Sequence, residues 1–395
     1  MSGSDHSRGH GRASLGGRAV ATASERTLAL LHEQVGRSLE EAETPVACVD
    51  LDRLEANLSR LQGYVDEHGI QLWPHTKTHK SPEVGRRQLE LGAGGLTVAK
   101  SGEAQVFAEA GAPRLLMHYP PYAPEKAERL ARIAADGVDL SVAVDSRAAA
   151  ENLSAALVRH GATAQLLVEL DVGLHRTGQP TSAGAVRVAQ ELSALPAVEV
   201  AGISCYPGHC RGDAATVRAR LMDADALLRE TRDAFLAAGM RCDRISGGST
   251  PTRYLTHETC VTELRSGTYA LGDRIDPPDG GVEEGALFVL VTVISDAVAD
   301  QVVVDAGSKT LTSDSHDDGG HGIFIGLPGA LVRDINEEHG YVDVSSLEER
   351  PKVGDRLRII PNHACGCVNL HDGLLAVRDG VVEAVLPVAG RGLIR

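Results

Sequence analysis

Residues 139–173 read DLSVAVDSRAAAENLSAALVRHGATAQLLVELDVG. DLSVAV is a short apolar run, RAAAENLSAALVRH has helical spacing, and Gly161 stands where a helix C-cap would. QLLVEL is a second apolar run that breaks into Asp171 and Gly173. Strand, helix and strand in that order predict a parallel βαβ unit. The same rhythm extends both ways, through IQLWPHTK, GLTVAK and RLLMHYP upstream and EVAGISCYPG, RISGGST and ELRSGTYAL downstream. Amphipathic stretches separate them, the longest being ATVRARLMDADALLRETRDAFLAAG. Eight such units in roughly 230 residues predict an α/β TIM-type (β/α)8 barrel, with an open α/β sheet as the alternative. The barrel is favoured because His75, Lys77, His118, Tyr119, Asp145, Asp171, Tyr206, Ser249 and Thr250 all fall near the carboxyl ends of their strands.

Beyond residue 280 the texture changes. ALFVLVTVISDAVADQVVVDAGS, GYVDVS and GLLAVRDGVVEAVLPV alternate or run apolar between Gly and Asp turns, which predicts a C-terminal all-β domain. The expected organisation is a disordered tail over 1–24, a barrel with its lead-in over 25–280, and a β domain over 281–395. A chain of 395 residues suits two domains. Its formal charge of −15 argues against nucleic-acid and anionic-membrane partners. No run of about 20 apolar residues suggests a spanning helix. Seven scattered cysteines and an opening without an apolar signal core make the cytoplasm the expected compartment, with free thiols.

Three constellations could carry chemistry. In Trp73–Lys80 (WPHTKTHK), alternate residues of a continuing strand would share a face, bringing His75, Lys77 and His79 together. A lysine turned into a barrel mouth can form a Schiff base, whereas a lysine-rich surface loop is the plainer reading. Gly247–Thr252 (GGSTPT) and Arg265–Thr268 (RSGT) end the last two strands, the usual phosphate site of barrels. A phosphate cradle opposite a lysine suggests pyridoxal 5'-phosphate. In Pro361–Cys367 (PNHACGC), a strand would put His363, Cys365 and Cys367 on one face, as a zinc site or as filler cysteines beside a chance histidine. Asn336–Gly340 and Asp314–Asp318 are further metal candidates that read better as solvated loops.

PHTKTHK, ELDVGLHRTG, GGSTPT, ELRSGTY, DAGSK, EEHG and RIIPNHACGCVNLHD, in order from about residue 45 to 392, resemble the D-serine dehydratase and D-threonine aldolase family. That family joins an alanine racemase-like, fold-type III pyridoxal phosphate barrel to a β domain. The resemblance implies that Lys77 carries the cofactor and that Tyr206 lies near its ring. It implies that Gly248, Ser249, Thr250, Gly267 and Thr268 bind the phosphate. It also implies that His363 and Cys365 hold a divalent metal, zinc by the softness of the thiolate, with manganese or magnesium serving relatives. Homodimers with the site at the interface are the family's habit. Two departures stand out: Trp73 replaces an arginine and is expected to alter contacts near the cofactor, and Cys367 is either a third ligand or a filler.

The implied substrate is a small D-β-hydroxy-α-amino acid. Freed Lys77 would take its α proton, and a metal on its hydroxyl would make that group leave. This dehydratase reading ends in a 2-keto acid and ammonia. The alternative is aldolase cleavage to glycine and an aldehyde, with His75, His79 or His339 as base. Among family members His-x-Cys resembles the dehydratases more than the aldolases. A non-catalytic cofactor carrier would need neither the β domain nor the metal pair.

Overall fold

The computed structural model describes residues 22–278 and 281–395. The expected tail lies outside the described residues up to position 21. Its last residues are ordered, because Thr22 caps α1 (Ala23–His32) in a reciprocal pairing with Glu25.

Eight parallel strands form the barrel: β2 (Gln71–Leu72), β3 (Leu96–Val98), β4 (Arg114–Met117), β5 (Asp139–Val144), β6 (Ala164–Leu170), β7 (Val198–Cys205), β8 (Arg244–Gly247) and β9 (Glu263–Leu264). They pair in the order β2-β9-β8-β7-β6-β5-β4-β3. A parallel bridge between His75 and Thr97 brings the two end strands together. The predicted runs and the observed strands coincide one for one; α2 (Leu51–Glu67) leads into β2, helices from α3 (Pro82–Glu90) to α8 (Ala214–Ala237) carry the chain from β2 to β8, and a 3₁₀ segment, Arg253–Glu258, joins β8 to β9. Val142, Val144, Leu166 and Val168 are fully buried against helix residues such as Leu153 and Leu157. Burying each such side chain contributes about 1.5–3 kcal/mol.

The β domain holds β10 (Leu287–Ser295), β11 (Gln301–Val304), β12 (Gly322–Phe324), β13 (Leu331–Ile335), β14 (Gly340–Asp343), β15 (Arg356–Pro361), β16 (Gly373–Arg378) and β17 (Val381–Pro387). One sheet runs β11-β14-β13-β12-β15-β10-β1-β16-β17, and a further β10–β11 pairing closes six of these strands into a small barrel. Its member β1 is Val46–Asp50, from the lead-in that the sequence grouped with the large barrel. It pairs antiparallel with β10 and parallel with β16. The reason is its two-sided burial. Ala47 and Val49 enter the core with α2 and β10, while Val46 and Cys48 enter a second core with Leu39, Phe288 and Leu375. Asp50 then caps α2 through the Arg53 amide at 3.0 Å, so the chain passes between sheets without a linker.

Candidate active site

A cleft of about 590 Å³ opens at the carboxyl ends of the barrel strands, and residues of the β domain line part of it. Strand β2 stops at Leu72, and Thr76–Thr78 form one 3₁₀ turn capped by the His75 ring. The turn presents Lys77 to the cleft, with its Nζ 5.6 Å from the centre of the Tyr206 ring. The Arg176 guanidinium lies 4.7 Å from the same ring. Burial and the charges of Lys77, His118 and Arg265 keep the His75 imidazole well below its ordinary pKa, and so neutral.

The turn also corrects the expectation that His75, Lys77 and His79 point together. Extended geometry ends before Lys77, and His79 faces inward, fully buried, its ring edge-on to Phe107. Its Nδ1 accepts from the Ser81 amide at 3.1 Å. His339 lies on the exposed turn between β13 and β14 and does not line this cleft. Asp145 and Asp171 are spent on loop backbone: Asp145 accepts from Gly178, and Asp171 from Gly173 and His175.

Opposite Lys77, β15 ends at Pro361 and residues Ala364–Val368 turn into a short helix. This corrects the second face expectation. His363 and Cys365 reach the cleft, but Cys367 turns into the core. There its thiol donates to the Thr310 carbonyl at 3.3 Å, and burial pushes its pKa up to about 12. Cys367 is a filler. Cys365 lies 3.2 Å from Thr78 Oγ1, and Cys365 together with Asp314 raises the His363 pKa to about 9. Among the described residues no group of three or more His, Cys, Asp or Glu side chains gathers as a metal cage.

Ser249, Thr250, Gly267 and Thr268 line the cleft floor beside Lys77, and Gly248 precedes them on the same turn. Thr250 Oγ1 is 2.9 Å from Ser266 Oγ, and Ser249 Oγ is 3.0 Å from Thr252 Oγ1. A Cβ on Gly267 would stand 2.7 Å from Thr78 Oγ1 and 3.0 Å from the His75 carbonyl. A small, hydroxyl-lined cradle next to a lysine fits the phosphate and aldehyde ends of pyridoxal phosphate.

Sequence reasoning missed the polar chain that Arg265, His118 and Glu169 form along the lining of the cleft. Arg265 donates to Ser246 Oγ at 2.7 Å, to Ser204 Oγ at 3.2 Å and to the Cys205 carbonyl, and stands 3.0 Å from His118 Nε2. The same nitrogen is 2.9 Å from Glu169 Oε2. Burial pushes Glu169 up, but His118 and Arg265 outweigh it and hold the carboxyl below its usual range. The signal was present: Glu169 interrupts an apolar strand at a position that faces the barrel interior. Trp73 is another correction. It packs with Leu116, Leu167 and Ala201 inside the barrel, under the Arg244 guanidinium at 4.9 Å. It lines a depression with Gln165 and Glu263 rather than the cleft that holds Lys77.

The comparisons agree with this architecture. Residues 49–275 match the model of the alanine racemase N-terminal domain, and residues 286–377 match that of a putative serine dehydratase domain. A D-threonine aldolase of Arthrobacter sp is 38% identical over 376 residues, covering 92% of this chain and 96% of that one. The chain belongs to the D-threonine aldolase and D-serine dehydratase family. The crystal structure of D-threonine aldolase from Filomicrobium marinum superposes with a TM-score of 0.86 at 30% identity, over 91% of this chain and 99% of that one. D-threo-3-hydroxyaspartate dehydratase from Delftia sp. HT23 gives 0.80 at 30% identity, over 89% and 98%. Its solved variants include a His→Ala and a Cys→Ala two residues apart, the latter in a metal-free form. That is the spacing of His363 and Cys365.

Proposed function

We propose that this family member is a pyridoxal phosphate- and metal-dependent lyase that removes water, and then ammonia, from small D-β-hydroxy-α-amino acids. The observation that carries the reading is the His363–Cys365 pair, delivered by the β domain to the cleft that holds Lys77. Pyridoxal phosphate, when bound, withdraws electron density from the substrate α carbon. A divalent metal on His363 and Cys365, zinc by the softness of the thiolate, would supply Lewis acidity at the β-hydroxyl. Lys77 would hold the cofactor at rest and move the α proton once released. Ser249, Thr250, Gly267 and Thr268 would hold the phosphate. Tyr206, with Lys77 and Arg176 against its ring, would orient the cofactor ring.

Retro-aldol cleavage is the second reading, favoured by the greater overall identity to a D-threonine aldolase. Purified, metal-loaded protein offered D-serine and D-threonine tests the two. Keto acid with ammonia is the expected product, while glycine with an aldehyde would reassign the site to carbon–carbon cleavage. The proposal includes a homodimer; Tyr119 and Tyr122, exposed beside the cleft, suit a partner's surface. Sedimentation of a monomer would remove that part. The free state of all seven cysteines suits a reducing cytoplasm.

A further inference from the structure

His363 Nδ1 lies 2.8 Å from Asp314 Oδ2, across 49 residues of chain. A carboxylate oxygen accepts here, so the hydrogen it faces resides on Nδ1, and in the neutral ring that can bind a metal the lone pair is on Nε2. Two neighbours of the pair hold Asp314 in place. The fully buried Asn362 side-chain amide donates to the Asp314 carbonyl at 2.9 Å and to the Gly320 carbonyl at 2.8 Å, which pins both ends of the loop. A Cβ on Gly366 would stand 3.1 Å from Asp314 Oδ2 and 2.8 Å from Thr312 Cγ2, so the loop packs directly onto that glycine. In the run Asn362-His363-Ala364-Cys365-Gly366, the outer residues place the Asp314 loop, while His363 and Cys365 face the cleft and Ala364 packs into the core.

We infer that Asp314 is the positioning carboxylate of the metal centre, fixing the His363 tautomer and ring so that Nε2 is the nitrogen offered to the ion. The inference rests on the proposed metal role of His363 and Cys365. It places Asp314 outside the ligand set, since its carboxylate occupies the nitrogen that the metal does not use. Outer-sphere partners of this kind typically change metal affinity by about 10–100-fold when lost.

The test is zinc affinity of the cofactor-loaded enzyme, measured by chelator competition, with cofactor absorbance and thermal melting followed in parallel. Asp314→Ala is expected to bind zinc about 10–100-fold more weakly with its cofactor band unchanged. Asp314→Asn should recover part of the loss, because an amide oxygen still accepts from Nδ1–H. Gly366→Ala reaches the same contact from the other side and should also weaken zinc. Wild-type affinity in both Asp314→Ala and Gly366→Ala would overturn the inference, as would an Asn variant no better than Ala. If His363→Ala itself leaves zinc binding intact, the metal-pair reading fails and this inference falls with it. If His363→Ala loses zinc while Asp314→Ala keeps it, only the role of Asp314 is refuted.

Discussion

Lys77 and His79 are two residues apart, and their surroundings separate them completely. Lys77 faces the cleft; His79 is sealed behind the turn, where burial lowers its pKa to about 4 from 6.5. Above pH 6.5 the imidazole is neutral in folded and unfolded chains alike. As pH falls below 6.5 the unfolded chain takes a proton that the interior refuses until about pH 4, so stability is lost across that window, by about 3 kcal/mol. Denaturant midpoints measured from pH 7 to 4 should therefore fall less steeply in His79→Asn than in wild type; equal slopes would refute the assignment. Lys77→Ala should leave no cofactor link that borohydride can fix, and cut turnover by about 10²–10⁴-fold. A reducible link persisting in that variant would exclude Lys77 as the anchor. The thiols divide similarly. Burial pushes Cys48, Cys205, Cys242, Cys260 and Cys367 up to about 12. Cys365 alone among the seven lines the cleft.

Two short turns, Thr76–Thr78 and Ala364–Val368, determine which side chains meet. The spacing of PHTKTHK and PNHACGC is compatible with alternation along a strand, and extended geometry was the natural reading of both. The ladders end first: β2 stops at Leu72 and β15 at Pro361. Once local hydrogen bonds replace the ladder, the period shifts from two toward three, which buries His79 and Cys367 while His75, Lys77, His363 and Cys365 stay on the cleft. The turn Ser266–Thr268 packs beneath the first of these, and Gly267 is the point of contact. Gly267→Ala would force the two turns apart at a cost of about 1–3 kcal/mol. The expected outcome is weaker cofactor retention on dialysis, read by absorbance, with metal content unchanged. Undiminished retention would show that the cradle has slack.

The cleft belongs to neither domain alone, since Lys77 and the hydroxyl turns come from the barrel and His363 and Cys365 from the β domain. Chelation of the metal proposed on His363 and Cys365 should therefore cost at least about a hundredfold in turnover while leaving the cofactor band and the barrel's circular dichroism intact. His363→Ala should do the same. Loss of the cofactor band on chelation would mean that the two groups are held by one cooperative unit. The eight barrel strands, the change to β structure near residue 280 and the lysine, hydroxyl-turn and His-x-Cys segments that line the cleft were legible in the chain, because apolar periodicity and turn chemistry are local properties. Tertiary structure alone decided the rest: that β1 leaves the barrel for the other sheet, that Trp73 fills the barrel interior, that Glu169, His118 and Arg265 converge, and that Asp314 reaches His363. Each of these depends on which distant segment a side chain meets, and a meeting between distant segments leaves no period in the sequence.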